Sequence, residues 1–165
     1  MSDTSQKFST FSQQHAKANF SEWLKARSMD HWDTMINHRF TSDMAADTLP
    51  EAVFKRYLHC EHAFVRSAIT IFSYALAKSP SAGDQDRLVS IVYALSTEQD
   101  KYFQETFRTM GFTDIPLKPS TFKGKASLLR DGAVGIAESC SFLEILSAML
   151  AAEWMYLTWC KKAAV

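Results

Sequence analysis

Hydrophobic positions recur at helical spacing along most of the chain, and no segment alternates convincingly between apolar and polar residues with a period of two. This pattern predicts an all-α bundle of about six helices joined by short connections. Most glycine and proline residues fall at the predicted joints, where helices end. The predicted helices cover residues 8–27, 29–47 (with a bend near 38–41), 48–78 (with a proline in the first turn), 84–110, 120–135 and 142–159.

The last predicted helix carries an acid in an otherwise apolar face. Ser141 and Glu144 form a capping-box pattern that marks its start. Glu153 occupies the one vacant step of the face formed by Phe142, Leu146, Met149, Tyr156 and Cys160. A charge inside such a stripe is strongly disfavoured unless it is paired, hydrogen-bonded or neutralised by a raised pKa. A ligand pocket is one candidate explanation for it.

The third predicted helix repeats this arrangement. Glu61 occupies the vacant step in a stripe formed by Phe54, Leu58, Val65, Ala68, Phe72 and Ala75. Tyr57 lies four residues before Glu61 and Phe64 lies three residues after it, so both rings neighbour the carboxylate. The fourth helix shows the same feature more weakly, with Glu98 in line with Ile91, Leu95 and Tyr102.

Two plainer explanations stay open for these acids. Each acid could pair with an internal Arg, Lys or His, or the assumed helix face could be wrong by one step. A di-metal site in a bundle needs a His three residues after the Glu, and neither Glu61 nor Glu153 has one. No metal is therefore expected. His62 is expected to point off the face of Glu61, and the other histidines share no face.

Composition and charge narrow the function classes. The chain has 165 residues, which is enough for one domain with a core. Its 18 basic residues balance 18 acidic ones, which argues against a protein that binds nucleic acid and permits association between copies. The three cysteines are widely spaced and form no CxxC motif. No signal peptide, membrane span or nucleotide-binding motif is recognised, so a soluble cytoplasmic protein is the default expectation.

Three segments together resemble the TenA/thiaminase II family, whose members have the haem-oxygenase-like all-α fold. The first, residues 32–40, reads WDTMINHRF and is close to the family pattern Trp-x-x-x-Ile-x-His-Pro-Phe, with Arg39 in place of proline. The second is LPEAVFKRYL at residues 49–58, followed by CEHAF at residues 60–64. The third is LEILSAMLAAEWMY at residues 143–156.

The resemblance implies a pocket for a thiamin-derived aminopyrimidine. Glu61 falls on the family's acid position, Phe64 on its stacking aromatic and Tyr156 on its tyrosine of the last helix. Ala152 stands where thiaminase II has its nucleophilic cysteine. Glu153, one residue later, resembles the cysteine-less TenA-E branch, which is associated with salvage of free or formylated aminomethylpyrimidine. The family's ring-binding tyrosine has no counterpart between Thr121 and Leu129.

These features predict a thiamin-salvage hydrolase of thiaminase II type that acts on an aminomethylpyrimidine or its formyl derivative. Glu153 and Glu61 are the predicted catalytic residues, and Phe64, Tyr156 and Tyr57 are the predicted substrate contacts. Glu153 would transfer protons and Glu61 would orient the ring. No cofactor is expected. A non-catalytic binder of a thiamin-related ligand is the alternative. A transcription factor is a third hypothesis, against which the charge balance and the lack of a basic recognition helix argue.

The expected organisation is a single TenA-like helical domain over residues 1–165 that lacks the C-terminal helices of the family. The expected partner is a small pyrimidine ligand, with neither nucleic acid nor membrane. The resemblance also implies a homo-oligomer, either a tetramer or a dimer.

Overall fold

The computed structural model describes residues 7–15, 19–112 and 124–164, and these residues form helices and no strand. This confirms the predicted all-α class. Within these ranges, no helix is both long enough and apolar enough to cross a membrane. The helices are α1 (Phe8–Gln14), α2 (Phe20–Arg27), α3 (Met29–Ile36), α4 (Arg39–Ala45), α5 (Glu51–Ala77), α6 (Ala82–Ala94), α7 (Asp100–Thr109), α8 (Lys125–Ser139) and α9 (Phe142–Ala163), and a π-helical turn (Leu95–Gln99) joins α6 to α7.

The predicted start of α5, the end of α7 and the start of α9 agree with the structure to within a few residues because local chemistry fixes them. Pro50, which cannot donate a backbone hydrogen bond, caps the N-terminus of α5. Gly111 adopts a φ of +69° just after α7, a conformation that suits glycine at a helix end. The backbone N–H of Ser141 donates to the Glu144 carboxylate at 2.8 Å, which is the reciprocal half of the predicted capping box.

The structure differs from the prediction at other helix boundaries. The predicted helix 8–27 is divided into α1 and α2, because the Asn19 side chain accepts a hydrogen bond from the N–H of Glu22 at 2.9 Å and starts a new helix. The predicted bend near 38–41 is confirmed as a break between α3 and α4, where His38 caps α4. The α8 helix continues to Ser139, past the predicted end near Gly135, since an interior glycine weakens a helix without ending it.

Contacts within the chain define two compact units, and the boundary between them falls inside α9. The first unit comprises residues 1–49 and 153–165, and the second comprises residues 50–152. In the first unit, Trp32 and Trp159 are buried. The ring of Trp32 meets that of Trp154 edge-to-face at 5.4 Å, and Phe40 meets Trp159 at 6.5 Å. Aromatic packing therefore dominates the described core of the first unit.

The second unit is built around α5, which packs against α6, the π-helical turn, α7 and α8. The predicted apolar stripe of α5 is confirmed, because all its members are buried except the half-buried Phe54. Two clusters of buried side chains lie along this helix. The first cluster contains Ala68, Ile71, Phe72, Ala75, Leu88, Ala137, Ile145 and Met149. The second cluster contains Leu58, Val65, Phe103 and Phe107.

The π-helical turn corrects the predicted face of the fourth helix. That face placed Ile91, Glu98 and Tyr102 inside, yet all three are exposed. Ile91 precedes the turn, so the predicted face was already misplaced there. A π turn accommodates one residue more than an α-helical turn, so every side chain after it is rotated by about 100°. Phe103 is consequently buried in place of Tyr102. Glu98 therefore does not belong to an apolar face.

Lys78 fixes the end of α5 against the end of α8. Its ammonium group donates to three carbonyl oxygens near the C-terminus of α8, those of Ala137 (2.7 Å), Glu138 (2.9 Å) and Cys140 (2.8 Å). Helix ends leave such carbonyls without backbone partners, and the negative end of the helix dipole attracts a cation. One side chain thus satisfies all three groups.

We expect Lys78→Met to destabilise the protein by about 2 kcal/mol, because hydrogen bonds to a charged group contribute about 1.5–3 kcal/mol and methionine retains the apolar stem. Urea unfolding at pH 7 measures the change. Lys101→Met, at an exposed lysine of α7, is the matched control and should change stability by less than about 0.5 kcal/mol. Equal midpoints for the two variants would contradict the structural role assigned to Lys78.

Candidate functional site

Tyr57, Glu61 and Phe64 lie on one face of α5, as residues spaced by four and three positions do on a helix. All three side chains are half-buried. Tyr57 packs against the second cluster, and Phe64 packs against the first cluster. Along α5, Glu61 therefore has an aromatic residue one turn away on each side, and it lies between Leu58 and Val65 of the second cluster.

The negative charge of Glu61 affects the neighbouring thiol. Burial raises the pKa of Cys60, and the charge of Glu61 raises it further, against the opposing effect of Arg56. A thiol with a raised pKa is protonated near neutral pH and is a poor nucleophile. Cys60 therefore does not replace the cysteine that is absent at Ala152.

Glu153 does not lie in a buried face, and this prediction from the spacing is wrong. The side chain is exposed, whereas Ile145, Met149 and Trp159 are buried and Ala152 is half-buried. The buried face of α9 thus follows a line one step away from the predicted one, which was one of the plainer explanations. Neighbouring atoms nevertheless remove some water from the carboxyl group, and this desolvation raises the pKa of Glu153.

Tyr156 lies one turn after Glu153 on α9 and is half-buried. Its ring lies 4.8 Å from that of Trp159. Glu153 and Tyr156 belong to the first unit, and Tyr57, Glu61 and Phe64 belong to the second. The structure thus groups the five predicted residues into one set on α9 and one set on α5. Their roles in binding and catalysis remain predictions.

His62 is one of the most buried side chains of the described chain, at 2% exposure, and the expectation that it points off the core face is wrong. Its Nε2 lies 3.0 Å from the carboxylate of Asp100 on α7. Asp100 also accepts a hydrogen bond from Gln104 at 2.7 Å, and the guanidinium of Arg66 lies 3.6 Å away. The hydrogen bond from His62 is the largest cause that lowers the pKa of Asp100, and Arg66 adds to it.

The sequence contained a signal for this polar pair that the spacing argument did not use. His62 follows Leu58 by four residues and precedes Val65 by three, so it lies in line with two buried positions. Its partner is 38 residues away and follows the π-helical turn, and no periodicity predicts such a contact. The spacing could thus have predicted that His62 is buried, but it could not have predicted that His62 pairs with Asp100.

His59 lies one turn before His62 in an aromatic environment. Its ring stacks on Phe107 at 5.0 Å and meets the edge of Phe112 at 4.7 Å. Its Nδ1 is buried and has no hydrogen-bond partner among the described residues. Burial lowers the pKa of His59, and the proximity of His62 lowers it further. Both effects favour the neutral form of the imidazole.

Two hollows on the described part of the surface are lined by residues other than the predicted ones. A groove of about 380 Å³ in the second unit is lined by side chains of α5 and α8 that carry both charges, including Arg66, Arg130, Asp131 and Glu138. A hollow of about 220 Å³ in the first unit is lined by residues that include Ile36, Trp159 and Lys162. In the described ranges, no three His, Cys, Asp or Glu side chains are grouped so that they could hold a metal ion.

Comparison with known proteins gives a family and a fold. The model of the TENA/THI-4/PQQC family matches residues 25–164. The structure is similar to that of a TenA homologue from Pyrococcus furiosus, with a TM-score of 0.80 and 22% identity over 88% of this chain and 68% of that one. It is also similar to a TenA family transcription regulator from Silicibacter sp. TM1040, with a TM-score of 0.82 and 19% identity over 89% of this chain and 65% of that one. These similarities confirm the haem-oxygenase-like all-α fold.

One similarity concerns a longer protein. A segment of 98 residues, 58% of this chain, is 26% identical to the hydroxymethylpyrimidine/phosphomethylpyrimidine kinase of Saccharomyces cerevisiae. The match covers 18% of that kinase, and the chain spans about two thirds of the two solved structures.

We expect the contribution of Asp100 to stability to depend on pH in the acid range. Because its pKa is lowered below the ordinary 3.8 in the folded state, its stabilising effect is complete above that value and is lost as the pH falls through the folded pKa. Asp100→Asn should therefore cost about 1–3 kcal/mol at pH 7 and progressively less below pH ~4. Urea unfolding of both proteins at several pH values measures this.

Asp86→Asn, at an exposed acid of α6, is the matched control for Asp100→Asn. The control should follow the wild type at every pH. A stability difference between Asp100→Asn and the wild type that stays constant from pH 7 to pH 2 would contradict the role of the carboxylate charge.

Proposed function

The chain belongs to the TENA/THI-4/PQQC family, and from this membership and the site on α5 we propose that it acts in thiamin metabolism as a hydrolase of an aminomethylpyrimidine or its formyl derivative. The observation that carries the proposal is the half-buried Glu61 between Tyr57 and Phe64 on one face of a long, well-packed helix. A small, flat heterocycle with an amino group needs a hydrogen-bond acceptor and an aromatic surface, and this face offers both.

Binding of the pyrimidine is assigned to the α5 residues. The Glu61 carboxylate accepts a hydrogen bond from the exocyclic amino group, which fixes the orientation of the ring. Phe64 stacks on the ring, and Tyr57 contacts its edge. The position of all three on a buried helix supports this assignment, because a rigid element holds a ligand more precisely than a loop does.

Proton transfer is assigned to Glu153. Its raised pKa favours exchange of a proton near neutral pH, and its exposure gives water access to the carboxyl group. The carboxylate takes a proton from water as the water oxygen bonds to the carbon of the scissile C–N bond. The C–N bond then breaks, and the proton returns from Glu153 to the leaving nitrogen. Tyr156 hydrogen-bonds Glu153 or the ring.

This mechanism needs no covalent enzyme intermediate. Ala152 has no nucleophilic atom, and the raised pKa of Cys60 keeps that thiol protonated. Direct attack by water is consistent with both observations. It is also consistent with assignment of the chain to the cysteine-less TenA-E branch of the family.

We expect Glu153→Gln to lower kcat for release of ammonia or formate by about 100-fold or more, because positioned acid–base groups typically contribute 10²–10⁴-fold. Glu61→Gln should mainly raise KM, by about 10-fold, since it weakens one charge-assisted hydrogen bond. Ammonia and formate are measured with the free and formylated aminopyrimidines as substrates. Glu105→Gln, at an exposed acid of α7, is the control and should retain wild-type rates.

The pH profile provides an independent check on Glu153. Since the pKa of this carboxyl is raised, the rate should fall on the acid side at a pH above that expected for an ordinary glutamate. If the wild type releases neither product above background, or if Glu153→Gln retains full activity, the hydrolase assignment is wrong.

A second candidate function is a non-catalytic binder of a thiamin-related pyrimidine. The exposure of Glu153 and the presence of Ala152 in place of a nucleophile favour it, because neither affects the binding residues on α5. A binder should show a saturable rise in melting temperature with the aminopyrimidine and no turnover. At 100 times Kd the stabilisation should reach about 2.7 kcal/mol, and Phe64→Leu should reduce it.

Phe54→Leu, at a half-buried phenylalanine of the same helix, is the matched control for Phe64→Leu. It should retain the ligand-induced stabilisation. Turnover by the wild type would rule out the binder, and equal loss of stabilisation in both variants would argue against a ligand at Phe64.

A further inference from the structure

Two tryptophan rings of the first unit enclose a lysine ammonium group. The Nζ atom of Lys25 lies 4.7 Å from the ring centroid of Trp32 and 5.0 Å from that of Trp154. The two rings meet edge-to-face at an interplanar angle of 68°, so they form two walls of a corner. A cation within about 6 Å of an indole face is attracted by the quadrupole of the ring. Lys25 makes this contact with both walls at once.

The ammonium group is held by the rings and not by an ion pair. Among the described residues, no carboxylate lies within ion-pair distance of the Lys25 ammonium, whereas Lys55 and Arg39 each pair with an acid four residues away. Proteins recognise quaternary ammonium groups with aromatic walls of this kind, because such cations are weakly hydrated and form no hydrogen bonds. The corner therefore has the chemistry of a site for an organic cation.

The ring of Trp32 is buried in the core, whereas the Lys25 side chain is only half-buried. Trp32 is 7% exposed and belongs to the core of the first unit. Lys25 projects from α2, a helix of 8 residues that has no buried residue. Among the described residues, the contacts with the two rings are the interactions that hold the ammonium in the corner. The half-buried side chains of Lys25 and Trp154 leave the corner accessible from solvent.

We propose that the Trp32–Trp154 corner is a binding site for a small organic cation, with Lys25 as its built-in competitor. The ligand class is a quaternary ammonium or an N-alkylated aromatic cation, which places its positive charge where the lysine ammonium now lies. Binding requires Lys25 to leave, so the lysine lowers the apparent affinity by the fraction of time that it occupies the corner. This proposal does not rest on the pyrimidine-binding residues of α5 or on the proposed hydrolysis.

The test is a ligand-observed NMR titration with tetramethylammonium chloride at constant ionic strength. Ring currents of the two indoles should shift the methyl signal upfield on binding. Lys25→Met retains the length and apolar stem of the side chain and removes the charge, and it should bind the cation at least 10-fold more tightly than the wild type. Lys161→Met, at an exposed lysine of α9, is the matched control and should bind like the wild type.

Two further measurements make the outcome specific. Trp154→Leu combined with Lys25→Met should abolish the upfield shift, and Trp154→Phe, which retains an aromatic wall, should show a weaker shift if the leucine variant fails to fold. tert-Butanol, a neutral molecule of similar size, should bind none of the proteins. Equal affinity of wild type and Lys25→Met for the cation, or equal binding of tert-butanol, would overturn the proposal. Failure of the hydrolase assays would leave it intact.

Discussion

Burial of α5 on most sides is the constraint on which the second unit depends. Because α6, α7, α8 and the π-helical turn all pack against this helix, a polar side chain on it must be compensated or held near an edge. His62 is compensated by Asp100, and Lys78 serves three carbonyl oxygens at the end of α8. Glu61 is half-buried, with Tyr57 and Phe64 one turn away along the helix. The candidate pyrimidine site thus lies where the burial of α5 is only partial.

Local signals in the sequence predicted a large part of this fold. The proline before α5, the glycine after α7 and the capping pair at α9 act within a few residues, so they can be read directly from the chain. The apolar stripe of α5 was predicted for the same reason, since it is regular over many turns. The family resemblance, carried by three short segments, was confirmed by the match over residues 25–164.

Predictions from the sequence were wrong or missing where the helical phase changed and where contacts joined residues far apart in the chain. After the π-helical turn, Phe103 is buried and Tyr102 is exposed. On α9, the buried face lies one step away from the predicted face, and Glu153 is exposed. The contacts of Lys78 with α8 and of His62 with α7 bridge tens of residues, and no local pattern encodes them. Of the five predicted site residues, Tyr57, Glu61 and Phe64 share a helix face as expected, because the spacing of α5 is regular.

The π-helical turn also bears on how homologous sequences should be aligned. A relative in which this helix is uninterrupted has one residue fewer between the positions of Leu95 and Gln99, and a correct alignment places a single-residue gap there. Without that gap, the alignment column that contains Asp100 would contain residues of the relatives that lie on a different face of the helix. The residue that corresponds in space to Asp100, the partner of the buried His62, would then stand in a different column.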